Sequence, residues 1–428
     1  MCLKGFCFQA GDGARRLLSA CLLLTVAASA QGAKENANLP TASEIDAVMQ
    51  SLSAITGFQI RKQLPFQLVT RDEVNKFLKD QIRHSVKPEE LRAEETTLKK
   101  FGFVPPDFDL QKTTIELLTE QAAAFYDFHR KKLFISDWAT QNMRETALVH
   151  ELAHALADQN FPIQKFLGSG GGSDDSEQSL ARESVVEGQA SWLMIEYAVR
   201  QSGKTLKDPA TAAEYLKDQP DTGDDNAWPV FSKAPLYIRR TLMFPYEDGE
   251  RFQQAIFLKE GSAAFARVFD QPPASTAQVI HPDRYFAKVA STTPELPKPI
   301  RHAKAFVTGS VGELDQRILL EQYLDSGSAE SLAPRLRGAS YRIDENKRDR
   351  RQMLLYVSEW EDAAAAGLYF NAYQRVLRGK WKQLEVTSQD ATQFSGKCED
   401  GYFSVTLKGT KVFSEEGFAA PLTSGAGV

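Results

Sequence analysis

The strongest constraint in this 428-residue chain is a short apolar segment, residues 145–160, that carries two histidines and a glutamate in an H-E-x-x-H pattern. The histidines are His150 and His154, and Glu151 directly follows the first. Residues four apart lie on one face of an α-helix, so the two imidazoles can reach one ion from adjacent turns. The flanking residues are mostly alanine, leucine and valine, which favours a buried helix. Buried imidazoles and carboxylates need partners, and a metal ion supplies them.

This spacing predicts a zinc site, because neutral imidazole is a preferred ligand of Zn²⁺. Glu151 lies beside the metal-facing stripe, where its carboxylate can take a proton from water instead of binding the ion. Bound zinc lowers the pKa of water to about 7, so hydroxide becomes available near neutral pH. The alternative is a structural helix in which the pattern has no function. The chain has only six histidines, which makes a chance match rare.

The first 30 residues differ in composition from the rest. Arg15 and Arg16 precede an apolar run, residues 17–28, and an Ala-Ser-Ala sequence that ends at Ala30. These features predict a secretory signal peptide, residues 1–30, and an exported protein of the periplasm or the extracellular medium. The run is shorter than the roughly 20 apolar residues of a spanning helix, and no later segment is long and apolar enough. We therefore expect no membrane span in the mature chain.

Composition restricts the remaining function classes. The formal net charge is −5, from 51 basic and 56 acidic residues, and no long basic run occurs, so nucleic acid is not an expected partner. Three of the four cysteines lie in the leader, which leaves Cys398 alone and predicts no intramolecular disulfide. The hydrophobic content of 42% is typical of a globular protein with room for two domains. Composition leaves the oligomeric state open.

The predicted fold class is α+β: a domain over residues 31–299, in which the H-E-x-x-H helix packs on a small sheet, and a smaller α+β domain over residues 300–428. Three prolines between Pro294 and Pro299 mark the boundary. The apolar patterns predict helices near residues 43–52, 71–82, 91–101, 110–119, 311–324 and 362–377, and strands near 66–70, 353–357 and 402–413.

A β-hairpin is predicted directly before the metal helix, with strands at residues 122–127 and 132–137 joined by a polar connector. A sheet edge in that position can hold an extended peptide by strand addition. Farther along, the polar segment 204–228 is predicted to be a loop or lid.

A catalytic zinc site usually has three protein ligands and one open position, so the two histidines need a third partner. A histidine six residues after His154 is ruled out because that position is Asn160. Glu183 and Glu187 lie one turn apart on a predicted helix that follows a glycine-rich loop, residues 168–175. We prefer Glu187 because its neighbours are apolar. Glu183 either replaces it or orients a ligating histidine.

The sequences His-Glu-Leu-Ala-His at 150–154 and Val-Glu-Gly-Gln-Ala at 186–190 resemble the gluzincin group of zincin metallopeptidases. In that group the third ligand is a glutamate on the next helix, and in aminopeptidases it lies in an Asn-Glu-Gly-x-Ala run. Here Val186 stands where the asparagine would be, and the glycine-rich loop lengthens the interval. The resemblance implies zinc ligands at His150, His154 and Glu187, with Glu151 as the general base.

A larger part of the chain, about residues 60–380, resembles uncharacterised exported bacterial zincin-like proteins. These share a Tyr-Asp hairpin before the metal helix, an Asp-Gln continuation after it, a Phe-Pro-Tyr segment and a His-Pro segment. The matching positions are Tyr126-Asp127, Asp158-Gln159, Phe244-Pro245-Tyr246 and His281-Pro282. This resemblance implies a fold and an enzyme class but no substrate.

Tyr246 and His281 are candidate catalytic residues, because a tetrahedral intermediate needs a donor for its developing oxyanion. The alternative for each is an ordinary packed side chain. Asp158, four residues after His154, can cap or orient, but the preferred interpretation is an exposed helix face.

Together these observations predict an exported zinc metallopeptidase that acts on a peptide or protein substrate, with Glu151 moving the proton from water to the leaving amine. One alternative is a non-hydrolytic binding or chaperone-like protein with a structural zinc, which would be four-coordinate with protein atoms only. Another is a zinc hydrolase of a different amide or ester.

Overall fold

The structure is a computed structural model, and it describes residues 40–74, 76, 88–121, 124–138, 141–168, 176–216, 228–300 and 302–421. Several sequence predictions lie wholly or largely outside these ranges: the signal peptide, most of the helix at 71–82, the glycine-rich loop, and Asp221–Asp225 of the predicted lid. In the described part of that lid, a short helix spans Pro209–Tyr215.

The first described element, α1 (Ala42–Thr56), confirms the predicted helix but begins earlier than expected. Its N-cap is Thr41, whose hydroxyl accepts from the backbone N–H of Glu44, while the Glu44 carboxylate accepts from the Thr41 N–H at 2.6 Å. This reciprocal pair satisfies two of the backbone donors that a helix start leaves open. Gly57 ends the helix in the left-handed conformation, at a φ of 77°.

A three-stranded sheet precedes the helix of the H-E-x-x-H segment, in the order β1 (Phe66–Val69), β3 (Lys132–Ser136), β2 (Ala124–Asp127). β1 pairs parallel with β3, and β2 pairs antiparallel with β3, which confirms the predicted hairpin. The Asp127 side chain accepts from the backbone N–H groups of His129 and Arg130 at 2.8 and 2.9 Å and so fixes the turn. Because β2 pairs only with β3 among the described strands, it is an edge strand of this sheet. The helices α2 (Pro88–Phe101) and α3 (Leu110–Gln121) lie between β1 and β2 in the chain.

The H-E-x-x-H segment lies on α4 (Gln141–Asn160), which packs against α1, β2 and β3. Its last residues bind the extended chain that precedes β1. Gln159 Oε1 accepts from the backbone N–H of Arg61 at 2.7 Å, and Asn160 bonds both the N–H and the C=O of Gln59. The polar end of this helix thus replaces the water that an extended segment would otherwise bind.

Two long helices follow. After the short α5 (Ile163–Gly168), α6 (Ser176–Arg200) packs on α4, and α9 (Leu236–Glu260) crosses α6. At the crossing, a Cβ on Gly188 would overlap the carbonyl carbon of Gly249, and a Cβ on Gly249 would overlap the carbonyl oxygen of Ser184. Glycine at both positions allows this backbone approach. The remaining helices of this region are α7 (Pro209–Tyr215), α8 (Pro229–Lys233), α10 (Ala263–Asp270), α11 (Thr276–Ile280) and α12 (Pro282–Phe286).

The rest of the described chain contains seven strands: β4 (Ala303–Ser310), β5 (Leu336–Asn346), β6 (Gln352–Trp360), β7 (Leu384–Gln389), β8 (Gln393–Cys398), β9 (Gly401–Lys408) and β10 (Lys411–Phe418). They form one antiparallel sheet in the order β4-β5-β6-β10-β9-β8-β7. The helix α15 (Ala363–Lys380), capped by the Asp362 side chain, packs on β6, β9 and β10. The predicted helices near 311–324 and 362–377 and the strands near 353–357 and 402–413 are confirmed, whereas β4, β5, β7 and β8 were not predicted. The helices α13 (Glu313–Tyr323) and α14 (Ser326–Leu332) lie between β4 and β5 in the chain.

The α+β class is confirmed, with one small and one larger sheet. Residues 290–300, around the predicted boundary, form no helix or strand. Contacts nevertheless cross it: Lys100 Nζ lies 2.7 Å from Asp400, and Arg92 lies 2.7 Å from Glu345. The division at residue 300 stays a prediction. Among the described residues, no helix is both long and apolar enough to cross a membrane.

Candidate metal centre

α4 presents its two histidines to one point. The Nε2 atoms of His150 and His154 lie 3.0 Å apart, and the exposed fractions of the two residues are 1% and 4%. One helical turn separates them, which places the rings on one face. The apolar residues around them, such as Leu152 and Ala153, are buried in the core. The sequence pattern therefore produces a pair of converging, buried imidazoles.

The third group comes from α6. Glu187 Oε2 lies 3.1 Å from His150 Nε2 and 3.2 Å from His154 Nε2, and Glu187 is buried. In the described part of the chain, this is the only cluster in which three or more histidine, cysteine, aspartate or glutamate side chains come close enough to hold one metal ion. Glu183, the alternative third ligand, is also buried but does not belong to this cluster.

The donor set fits zinc. Tetrahedral ligands with zinc bonds of 2.0–2.1 Å lie about 3.3–3.4 Å apart, close to the 3.0–3.2 Å between these three atoms. Two imidazole nitrogens and one carboxylate oxygen are a ligand combination that zinc accepts. Three protein donors leave one coordination position for solvent or substrate. The assignment of His150, His154 and Glu187 as ligands stays a prediction.

The electrostatics of the cluster are those of an anion facing two imidazoles. Burial alone raises the pKa of Glu187, but the imidazoles of His154 and His150 outweigh it and lower this pKa to about 2. Burial lowers the pKa of His150. Burial also acts to lower the pKa of His154, but the carboxylates of Glu187 and Glu151 outweigh it, so the net shift is upward. Glu187 is thus ionised and able to bind a cation.

Glu151 lies next to the cluster without joining it. Its Oε2 accepts from the backbone N–H of Tyr126 on β2 at 2.6 Å, and the residue is 6% exposed. Burial raises its pKa to about 7, although His154 acts in the opposite direction. A carboxyl group with this pKa can both take up and release a proton near neutral pH.

The structure corrects the interpretation of Asp158. Expected on an exposed helix face, it is buried and accepts from the hydroxyl of Tyr126 at 2.9 Å, from Lys131 Nζ at 2.6 Å and from the N–H of Ile163 at 3.1 Å. The polar sequence at the end of α4 suggested exposure to solvent, but Tyr126 and Lys131 of the hairpin cover Asp158.

The two candidate oxyanion donors differ in position. Tyr246, on α9, stacks against His150 with ring centroids 6.0 Å apart and an interplanar angle of 26°. His281 Nε2 lies 2.6 Å from Glu313, whose other oxygen accepts from Arg284, and it is not part of the metal cluster. The structure thus brings Tyr246 to the centre and pairs His281 with Glu313. A catalytic role for either residue stays a prediction.

Comparisons with known proteins found no matching family model, no similar curated protein and no similar solved structure. The resemblance to gluzincins therefore rests on the short motifs alone.

Sequence reasoning missed two features of this centre. The first is the pairing of Tyr126 with Asp158, although both residues are among the positions that match the zincin-like proteins. The second is the crossing of α6 and α9 at Gly188 and Gly249, which holds Tyr246 one turn away from Gly249 and next to His150. Glycines inside two long helical segments were the available signal, because an interior glycine weakens a helix unless close packing requires it.

Proposed function

We propose that this protein is an exported zinc-dependent metallopeptidase that hydrolyses peptide bonds in a peptide or protein substrate. One observation carries the proposal: three buried donor atoms of His150, His154 and Glu187 lie 3.0–3.2 Å from one another, and the carboxyl group of Glu151, which does not belong to this cluster, lies beside them. Export rests on the predicted leader.

His150, His154 and Glu187 are proposed to hold the ion. Bound zinc supplies Lewis acidity, which lowers the pKa of water to about 7 and polarises a carbonyl group. Glu151 takes the proton from the attacking water and passes it to the leaving amine, a task that suits a pKa near neutrality. Tyr246, stacked on His150, is the candidate donor to the developing oxyanion.

The position of β2 supports an extended peptide as the substrate. β2 is an edge strand, and its residue Tyr126 contacts Glu151 directly. An edge strand can offer backbone donors and acceptors to another chain, and on β2 the donor of Tyr126 is already taken by Glu151. A peptide added there would run past the proposed base.

The structural-zinc alternative is less well supported. A structural site is usually closed by four protein ligands, whereas only three converge among the residues that the structure describes. A carboxylate placed beside the ligands also has no use in a purely structural site. A zinc hydrolase of another amide or ester fits the same donor set, so the substrate needs a direct test.

The test combines metal analysis with one pair of variants. Purified protein is loaded with zinc, and a peptide library and a panel of simple esters are incubated with it, with and without a chelator. Glu151→Gln should retain zinc and lose peptide hydrolysis. The matched control is Glu196→Gln, which alters another fully buried glutamate, on α6, that bonds Arg200 and Leu206 and should leave turnover unchanged. Peptide hydrolysis that survives in Glu151→Gln, or chelator-insensitive cleavage, would overturn the proposal.

A further inference from the structure

A stripe of α4 residues faces the β2–β3 hairpin. Glu151, His154 and Asp158 are related by steps of three and four residues, so they lie on one side of the helix over two turns. The hairpin covers this stripe with two aromatic residues. Phe128 packs edge-on against His154, with ring centroids 5.9 Å apart, and Tyr126 packs edge-on against Phe128 at 5.2 Å.

Tyr126 spans the whole stripe. Its backbone N–H donates to Glu151 Oε2 at 2.6 Å, and its hydroxyl donates to Asp158 Oδ2 at 2.9 Å. Seven residues of helix, about 10 Å, separate the two carboxylates along α4. One tyrosine is therefore bound at both ends, by its main chain near the cluster and by its side chain two turns away.

The main-chain contact lies on the free side of β2. In an antiparallel pair, alternate residues direct their N–H and C=O groups away from the partner strand. Tyr126 is opposite Leu133 of β3, yet its N–H donates to Glu151. The carboxylate thus occupies a donor at the sheet edge, and any shift of β2 along or away from α4 would move it.

Asp158 binds the hairpin to α4 at a second point, two turns from Glu151. Besides Tyr126, it accepts from Lys131 Nζ at 2.6 Å and from the N–H of Ile163 at 3.1 Å, so it joins β2, the hairpin turn and the chain after α4 to the helix. Its side chain is 1% exposed, whereas that of Lys131 is 53% exposed. Burial and the Asp158 charge raise the pKa of Tyr126, which keeps its hydroxyl a donor.

We infer that Asp158 is a positioning residue for Glu151, which it holds in place through the hydroxyl and the backbone N–H of Tyr126. This inference rests on the proposed function, because it concerns the aim of the base. Asp158, at the end of α4, thus orients the carboxylate of Glu151 two turns away.

The test uses variants that remove individual hydrogen bonds of Tyr126 and Asp158. Tyr126→Phe deletes only the hydroxyl and keeps the ring and the N–H that faces Glu151. The matched control is Tyr373→Phe, which deletes a hydroxyl that donates to the buried Glu416 at 2.7 Å beneath the larger sheet. Asp158→Ala and Asp158→Asn complete the set, because asparagine can accept from the Ile163 N–H and donate to the Tyr126 hydroxyl oxygen, whereas alanine can do neither.

Three measurements are made on the zinc-loaded full chain: zinc content, amide hydrogen exchange, and the kcat and KM for a cleaved peptide. We expect Tyr126→Phe and Asp158→Ala to bind zinc normally and to lower kcat by about 10- to 100-fold, with KM changed by less than about twofold. Exchange should accelerate in β2, at the Tyr126 amide above all, and not elsewhere. Asp158→Asn should recover most of kcat, and Tyr373→Phe should match the wild type.

The inference would be overturned if Tyr126→Phe kept both the wild-type kcat and the wild-type exchange rate of the amide at position 126. It would also be overturned if Tyr126→Phe and Tyr373→Phe lowered kcat equally. Failure of the proposed function gives a separate result, because Glu151→Gln would then remain active whatever Tyr126 does.

Discussion

The two sheet-containing regions of this protein differ in the partners of their buried carboxylates. In the seven-stranded sheet, two buried carboxylates lie beside cations: Glu416 is 2.5 Å from Lys380, and Asp344 is 2.8 Å from Arg342. At the crossing of α4 and α6, buried Glu187 meets only two imidazoles. Buried charges need compensation. For these two carboxylates the protein supplies it itself, whereas for Glu187 we propose that an added cation completes the arrangement.

The largest expected effect comes from replacing the carboxylate that lacks a protein cation. Glu187→Gln should weaken zinc binding more than about 100-fold, since even indirect partners of a ligand contribute 10- to 100-fold. Peptide hydrolysis should fall about ten-thousandfold or more, equivalent to at least about 5 kcal/mol. The control is Glu416→Gln, which should leave zinc content unchanged. Equal zinc content in both variants, measured by elemental analysis, would remove the contrast between the regions.

The second effect tests the region in which the protein supplies the cation. Lys380→Met leaves the fully buried Glu416 without its charged partner, which should lower the free energy of unfolding by about 3–5 kcal/mol. Zinc content per folded molecule should stay at the wild-type value. Denaturant titration measures the loss. A change below about 1 kcal/mol would show that the pair does not hold this region together.

A smaller effect is expected at the crossing that brings α6 and α9 together. In Gly249→Ala the new methyl group overlaps the carbonyl oxygen of Ser184, so the helices must separate, at a cost of about 1–3 kcal/mol. Zinc affinity should fall as well, because Glu187 moves with α6. In Gly367→Ala, on α15, nothing lies within 4 Å of the new atom, and about 0.5–1 kcal/mol of stabilisation is expected. Calorimetry with and without zinc measures the stability of each variant and the stabilisation that zinc adds to it.

The smallest effect separates exposed from buried ion pairs. Lys131 lies 2.6 Å from Asp158, nearly the same distance as in the Lys380–Glu416 pair, but the Lys131 side chain is 53% exposed. Lys131→Met should therefore lower stability by no more than about 1 kcal/mol, because solvent screens the interaction. A loss as large as that in Lys380→Met, in the same denaturant titration, would mean that distance and not burial governs these pairs.

The local part of the site could be predicted from the sequence, because it depends on helical spacing. The converging imidazoles of His150 and His154 follow from their four-residue separation, and the hairpin follows from its apolar strands and polar turn. Apart from the approach of Glu187 to the two histidines, contacts between distant segments could not. The pairing of His281 with Glu313, the burial of Asp158 under the hairpin and the pairing of β6 with β10 depend on tertiary packing. β5 was missed although Ala339, Tyr341 and Ile343 alternate with polar residues. Its buried Asp344 and Glu345 are paired with Arg342 and Arg92, and these contacts cannot be read from the sequence.

The central claim is that two imidazoles and one carboxylate hold a zinc ion with one position left for solvent. X-ray absorption spectroscopy on the zinc-loaded full-length protein, combined with elemental analysis, tests it directly. We expect one zinc per chain, coordinated by two imidazole nitrogens, one carboxylate oxygen and one solvent oxygen. A protein that takes up no zinc, or a zinc ion closed by four protein ligands, would contradict the account.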